Sequence, residues 1–357
     1  MRKVANTAEA KAVKPVEWLG DRLKILDQTE LPLAEKYLQL TDYRQVISAI
    51  KELRVRGAPA IGISAAYGIC LGAMLIREIG TRKFRDSLER VCADFAAARP
   101  TAVNLFHAIG IMREAAKPPA TVSGIKAALL KTAAAFNRKE ETAMAKLSRA
   151  GAALLADGFT VLTHCNTGQL ATGVRYGTAL GVIKAAVEQG KRIRVYADET
   201  RPLLQGARLT TWELKRLNIP VTLITDSMAG FYMSKRVIDC VITGADRIAL
   251  NGDTANKIGT YSLAVLAREN HIPFYIAAPV SSIDFTIKSG SQISIEERDE
   301  REILQIRGIK IAPAGVHAAN PAFDITPGRY INAIITDRGI VKPPYQRSIL
   351  KLHKEGS

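Results

Sequence analysis

Cys165 lies in VLTHCNTGQLATG (residues 161–173), between a histidine and an asparagine at the end of an apolar run. An ionised thiol there is a base or a nucleophile; a neutral one is a small hydrophobe. Cys70, Cys92 and Cys240 sit inside apolar helix or strand patterns and read as core residues. Cys165 differs because it follows its run and opens a polar loop. His164 is its neighbour, but successive strand residues point to opposite faces, so no Cys–His dyad is expected from this pair. His164 reads instead as a hydrogen-bonded support. Acids hold the same kind of position: Glu199, Asp226 after VTLIT, and Asp246 after CVITGA. Asp226 precedes a helical stretch and reads as its cap.

Several chemistries lack their motifs. Gly168, Gly173 and Gly177 do not form G-x-G-x-x-G, and no G-x-x-x-x-G-K-[ST] occurs. Nothing therefore points to a nucleotide cofactor. The five histidines show neither H-E-x-x-H nor paired spacing, so no metal site is expected.

These residues need elements to hold them. From about residue 158, short apolar runs (FTVLTHC, RIRVYADET, VTLITD, CVITGAD, PFYIAAP, and INAIITD near the end) alternate with helical segments. Such alternation predicts a parallel sheet with helices on its faces. Ligands of such sheets bind outside the carboxyl ends of the strands, which gathers Cys165, Asn166, Glu199, Asp226 and Asp246 on one rim. Residues 42–157 are instead mostly helical in period, with Thr41-Asp42 set to cap the first helix. VEWLGDRLKILDQTELP reads as a pair of short strands turning at Gly20-Asp21. The expected fold is thus α/β. A mainly helical N-terminal domain with a short β-hairpin (residues 1–145) precedes a Rossmann-like parallel-sheet domain (residues 146–357).

Composition narrows the partners. The chain has 357 residues, 47% of them hydrophobic and 24% charged, which suits a globular protein. A net charge of +16 suits either an anionic ligand or simply a basic, solvated surface. The basic residues are scattered along helices without interleaved aromatics, so nucleic acid is not an expected partner. The four cysteines form no C-x-x-C pair, and the polar start MRKVANTAEAKAVKP lacks an export signal and reads as a loose tail. A reducing, cytoplasmic setting is expected. APAIGISAAYGICLGAMLI (58–76) approaches membrane-spanning length, but its Gly and Ala content predicts a buried helix and no membrane partner.

Several stretches occur in one order: RGAPAIG, ARPTAVNL, THCNTG, ADETRPLLQGARLT, DSMAG, TGADRI, ANKIGTYSLAVLA, then IDFTI, IEERD, NPAFDITP and IITDRG. Together they resemble the methylthioribose-1-phosphate isomerase family, aldose–ketose isomerases of methionine salvage, from about residue 15 to about 345. That family is similar in fold to regulatory subunits of a translation-initiation exchange factor, which are non-enzymatic. The resemblance implies Cys165 and Asp246 as catalytic residues. It implies substrate contacts from Arg56, Gly57, Ala58, Arg99, Gln205, Asn256 and Lys257, a homodimer, and no cofactor. Related substrates within the class are 5-deoxyribose 1-phosphate and ribose 1,5-bisphosphate.

The implied chemistry suits these residue types. A furanose 1-phosphate has no free aldehyde, so its ring must open first. A carboxylic acid kept protonated in an apolar pocket assists, which is the expected role of Asp246. Hydrogen then moves from C2 to C1, either as a proton taken by a Cys165 thiolate or as a hydride. A helix N-terminus after Thr167-Gly168 is expected to favour that thiolate. Asn256-Lys257-Ile258-Gly259 is expected to open another helix, whose N–H groups would attract phosphate. Arg56 is expected to grip phosphate with paired hydrogen bonds.

Overall fold

The computed structural model describes residues 13–99 and 103–354; most of the N-terminal stretch read as a tail lies outside them. The expected hairpin forms: β1 (Val16–Trp18) pairs antiparallel with β2 (Leu23–Leu26), and Leu19 N donates to Arg22 O across the turn at 2.9 Å. A third strand, β3 (Tyr37–Leu40), extends it on the β2 side. Asp42 caps α1 (Tyr43–Lys51) as expected, its carboxylate accepting Arg44 N while Gln45 reaches back to Asp42 N.

Four more helices follow: α2 (Ala58–Leu75), α3 (Thr81–Ala96), α4 (Val103–Ala116) and α5 (Val122–Ala152). The apolar 58–75 stretch is a core helix, with most of its residues buried among its neighbours. α5 has 31 residues and runs without a break through residues 145 and 146, the expected boundary between the two domains.

The second half alternates as expected. In chain order it contains β4 (Thr160–Thr163), α6 (Gln169–Thr172), α7 (Ala179–Glu188), β5 (Arg194–Asp198) and α8 (Thr211–Arg216). Next come β6 (Val221–Ile224), α9 (Ala229–Ser234), β7 (Cys240–Thr243), β8 (Arg247–Ile248) and β9 (Thr254–Lys257). Then follow α10 (Thr260–Glu269), β10 (Phe274–Ala277), α11 (Arg301–Leu304), and the short hairpin β11 (Gln305–Ile306) and β12 (Ile309–Lys310). The chain closes with β13 (Phe323–Thr326), β14 (Ala333–Thr336), β15 (Gly339–Val341) and α12 (Tyr345–Lys354).

Seven strands make the central sheet in the order β15-β14-β10-β7-β4-β5-β6, parallel except for β15. Alternate residues face opposite sides. Val161, Ile242 and Ile335 join a core that also holds Leu129, Phe136 and Leu147 of α5. Leu162, Val241, Ile276 and Ile334 join a second core with Leu263 of α10 and Ile349 of α12. The chain enters the sheet at β4, builds outward through β5 and β6, then returns to place β7 on the other side. The order therefore reverses between β4 and β7, and a crevice opens above their carboxyl ends. A smaller sheet, β13-β9-β8, leans over that crevice.

Candidate active site

β4 delivers Cys165 to the crevice and β7 delivers Asp246. Both line one cavity of about 130 Å³ with Arg56, Gly57, Ala58, Arg99, Gln205, Asn256 and Lys257. All nine residues named from the sequence thus meet around a single volume. Arg56 and Gly57 arrive from the turn before α2 and Ala58 from its first position, Arg99 from the segment after α3, and Asn256 and Lys257 from β9.

Cys165 adopts φ 61°, and Thr200, whose hydroxyl accepts its N–H, adopts φ 62°. A β-branched threonine in that region is unusual, and such departures gather at functional sites at roughly 1–3 kcal/mol each. The loop is held by Cys165 N donating to Thr200 Oγ1 at 2.8 Å and by Thr210 Oγ1 donating to Cys165 O at 2.6 Å. Arg56 sits beside the thiol: Nη2 lies 3.5 Å from Sγ and Nη1 donates to Asn166 Oδ1 at 3.1 Å.

Asp246 is exposed where its side chain opens into the cavity, with protein packed round the rest of it. Burial pushes its carboxyl above the ordinary range, while the charges of Lys257, Arg99 and Arg56 pull it back down. Burial lowers Lys257, against the pull of Cys165 and Asp246. Lys257 Nζ donates to Ala322 O at 2.8 Å and lies 4.6 Å over the Phe323 ring. Glu296 bridges two cavity arginines, reaching Arg99 at 3.5 Å and Arg298 at 3.3 Å. Gln205 is buried, and its Oε1 has no hydrogen-bond partner among the described residues. A buried amide left open beside a cavity is suited to a ligand hydroxyl.

His164 is not among the residues that line the cavity. Its Nε2 faces Ile258 O at 2.8 Å and its Nδ1 faces Asp198 Oδ2 at 2.9 Å. A carbonyl only accepts, so Nε2 carries a proton. Burial pulls the imidazole pKa down, but the bond to Asp198 and the charges of Asp198 and Asp226 hold it above its ordinary value. Both ring nitrogens are engaged, although His164, Asp198 and Asp226 lie close enough together to resemble a metal cluster. The remaining cysteines are core residues, as read; burial pushes Cys70 up to about 12 and Cys92 up to about 11.

Three expectations are corrected. Asp226 does not cap the helix after it: Thr225 is the cap residue, and the Asp226 carboxylate accepts N–H bonds from Thr200 and Arg201, each at 2.8 Å. The helix after Gly168 is a single turn, and a carboxylate rather than the thiol uses its N-terminus. Glu213 accepts from Leu170 N at 3.4 Å. Asn256 and Lys257 lie on a strand and do not open a helix. The N-terminus of α10 is filled by Asp324, which accepts from Gly259 N at 2.7 Å and Tyr261 N at 3.1 Å. Lys257 therefore brings the cavity an ammonium group but no helix dipole.

The structure also brings in residues the sequence did not single out, chiefly Arg298, Ser282 and Thr178 on the cavity wall and Glu213 beneath it. Arg298 sits in the acidic run IEERDERE, where an arginine looks like surface charge. Glu199, expected on the rim, is not among the cavity residues.

A helical layer set against a parallel sheet, with a cationic cavity over the switch in strand order, marks a class of proteins that hold a small anion at strand ends. The chain belongs to the Initiation factor 2 subunit family, whose model matches residues 54–343. It is 54% identical to the methylthioribose-1-phosphate isomerase of Acetivibrio thermocellus over 341 residues, covering 95% of this chain and 99% of that one. It is 57% identical to the same-named protein of Dehalococcoides mccartyi over 330 residues, 92% of this chain and 98% of that one. Among solved structures, 5-methylthioribose 1-phosphate isomerase from Pyrococcus horikoshii OT3 matches with TM-score 0.91 and 41% identity over 99% of this chain and 100% of its own. The crystal structure of the translation initiation factor eIF-2B, subunit delta, from A. fulgidus matches with TM-score 0.87 and 43% identity over 96% of this chain and 99% of its own.

Proposed function

We propose that this protein is a cofactor-free aldose–ketose isomerase that converts 5-methylthioribose 1-phosphate to 5-methylthioribulose 1-phosphate, a step of methionine salvage. The carrying observation is that Cys165 and Asp246, from two different strands, face one cavity ringed by Arg56, Arg99, Lys257 and Arg298. The names of the relatives support the substrate.

The cations take the phosphate, and Gln205 and Asn256 take sugar hydroxyls. Asp246, held protonated, gives its proton to the ring oxygen as the C1–O4 bond breaks. The C2 hydrogen then moves to C1, the C2 hydroxyl becomes the carbonyl, and its proton returns to Asp246. In the base route Cys165 takes the hydrogen as a proton and returns one to C1. In the hydride route the hydrogen passes directly, and Cys165 steadies the charge. Solvent deuterium found at C1 of the product marks the base route; full retention of the C2 hydrogen marks the hydride route.

The test of function is purified protein with 5-methylthioribose 1-phosphate, alongside 5-deoxyribose 1-phosphate and ribose 1,5-bisphosphate. Ketose phosphate formed fastest from the methylthio sugar supports the reading. Folded protein that turns over none of them refutes it. The proposed working unit is a cytoplasmic homodimer. Leu223, Met228 and Phe231 lie exposed along and just after the edge strand β6, where a second copy would cover them. Light scattering that reports a monomer refutes the pairing.

A further inference from the structure

We propose that Glu213 is a positioning residue for Cys165: its carboxylate fixes the amide of Asn166, which holds the Arg56 guanidinium against the sulfur. The contacts are continuous. Asn166 Nδ2 donates to Glu213 Oε1 at 2.7 Å, and Arg56 Nη1 donates to Asn166 Oδ1 at 3.1 Å while Nη2 reaches Sγ at 3.5 Å. Thr210 Oγ1 accepts a longer bond from Asn166 Nδ2 at 3.3 Å. Glu213 and Asn166 are each 4% exposed, so water does not substitute for a lost partner.

The argument turns on donors and acceptors. Asn166 has a donor end and an acceptor end, and Arg56 only donates. Oδ1 must therefore face Arg56, which leaves the NH₂ end to find an acceptor. Glu213 is that acceptor, and its other oxygen is already committed to Leu170 N. Only a carboxylate accepts on both sides. Its place is fixed by Gly168, where a Cβ would lie 2.3 Å from Oε1. Arg56 and Lys184 of α7 are the charged groups that face it. Glutamine at this position keeps its oxygen on the backbone N–H and turns its NH₂ to Asn166. The Asn166 amide then reverses, sets N–H against N–H at Arg56, and the guanidinium leaves the sulfur.

The inference deepens the isomerase reading, but its readout needs no substrate, so the two fail separately. The readout is the rate of iodoacetamide alkylation of Cys165 at pH 8, above the value of about 7 to which burial raises Glu213, followed on its peptide by mass spectrometry. Glu213→Gln is expected to slow alkylation at least about fivefold, the scale of one lost hydrogen bond. Asn166→Ala should give the same loss. In an Arg56→Ala background neither change should have a further effect. Glu213→Gln at the wild-type rate, or equally slowed with and without Arg56, overturns the proposal. If Glu213→Gln does not fold, the Asn166→Ala and Arg56→Ala cycle decides: additive losses overturn it and non-additive losses uphold it.

Discussion

Replacing Gly57 with alanine tests whether the turn before α2 is built to aim Arg56. Gly57 has φ 93° and ψ 136°, a region that residues with a Cβ avoid. Occupying it costs an L-residue roughly 1–3 kcal/mol. The added Cβ would also lie 2.2 Å from Ala171 O and 2.6 Å from Ala171 Cα, both backbone atoms of α6. Ordinary carbon contacts begin near 3.5 Å, so the turn or α6 must withdraw by about 1 Å. Neither can move alone, because Gln28 Nε2 holds Leu170 O at 2.8 Å and Glu213 holds the start of α6. A displacement of about 1 Å in a positioned catalytic group costs on the order of 10²-fold in rate. Steady-state turnover of 5-methylthioribose 1-phosphate should therefore fall about 10²-fold in kcat/KM, while the circular-dichroism spectrum stays native. Gly57→Ala with kcat/KM within about threefold of wild type would refute the close-approach argument, since that outcome needs a backbone that yields freely.

The other predictions concern ionisation. Asp246→Asn should lower kcat by about 10²–10⁴-fold, the usual worth of a general acid. Wild-type kcat/KM should fall as pH rises through the raised pKa of Asp246, because the protonated form does the work; a pH profile whose alkaline limb survives in the variant contradicts this assignment. Glu140 in α5 offers a stability test, since burial pushes it from 4.5 up to about 7. The folded state then holds that proton more tightly than the unfolded chain. Its contribution is fully present below about 4.5 and is lost as pH climbs to about 7, by roughly 3 kcal/mol. Glu140→Gln should raise Tm at pH 8 by a few degrees and leave it unchanged at pH 5; equal shifts at both pH values in calorimetry count against it.

The sequence made the strand ends legible because each apolar run stops where polar residues begin, and parallel sheets put those ends together. That single rule located Cys165 and Asp246 before any geometry was known. It did not separate Asp246 from Glu199 and Asp226, which share the pattern but point elsewhere. Lys257 was placed on the wrong element because TANK precedes a true helix, while its pairing strand β13 lies far along the chain. Pairing over that distance leaves no local mark. The filled N-termini of α6 and α10 were illegible for the same reason: Glu213 and Asp324 reach them from other segments. Glu213 itself, in TTWELKRL, has the spacing of an ordinary helix surface.

With 31 residues, α5 is about 46 Å long. It packs in the helical layer and beneath the sheet, within one continuous core. Arg56 and Arg99 precede it in the chain; Cys165 and Asp246 follow it. One unbroken helix thus ties together the segments that form the two walls of the cavity. At the rim, the segments that carry Arg99 and Arg298 are joined to each other through Glu296.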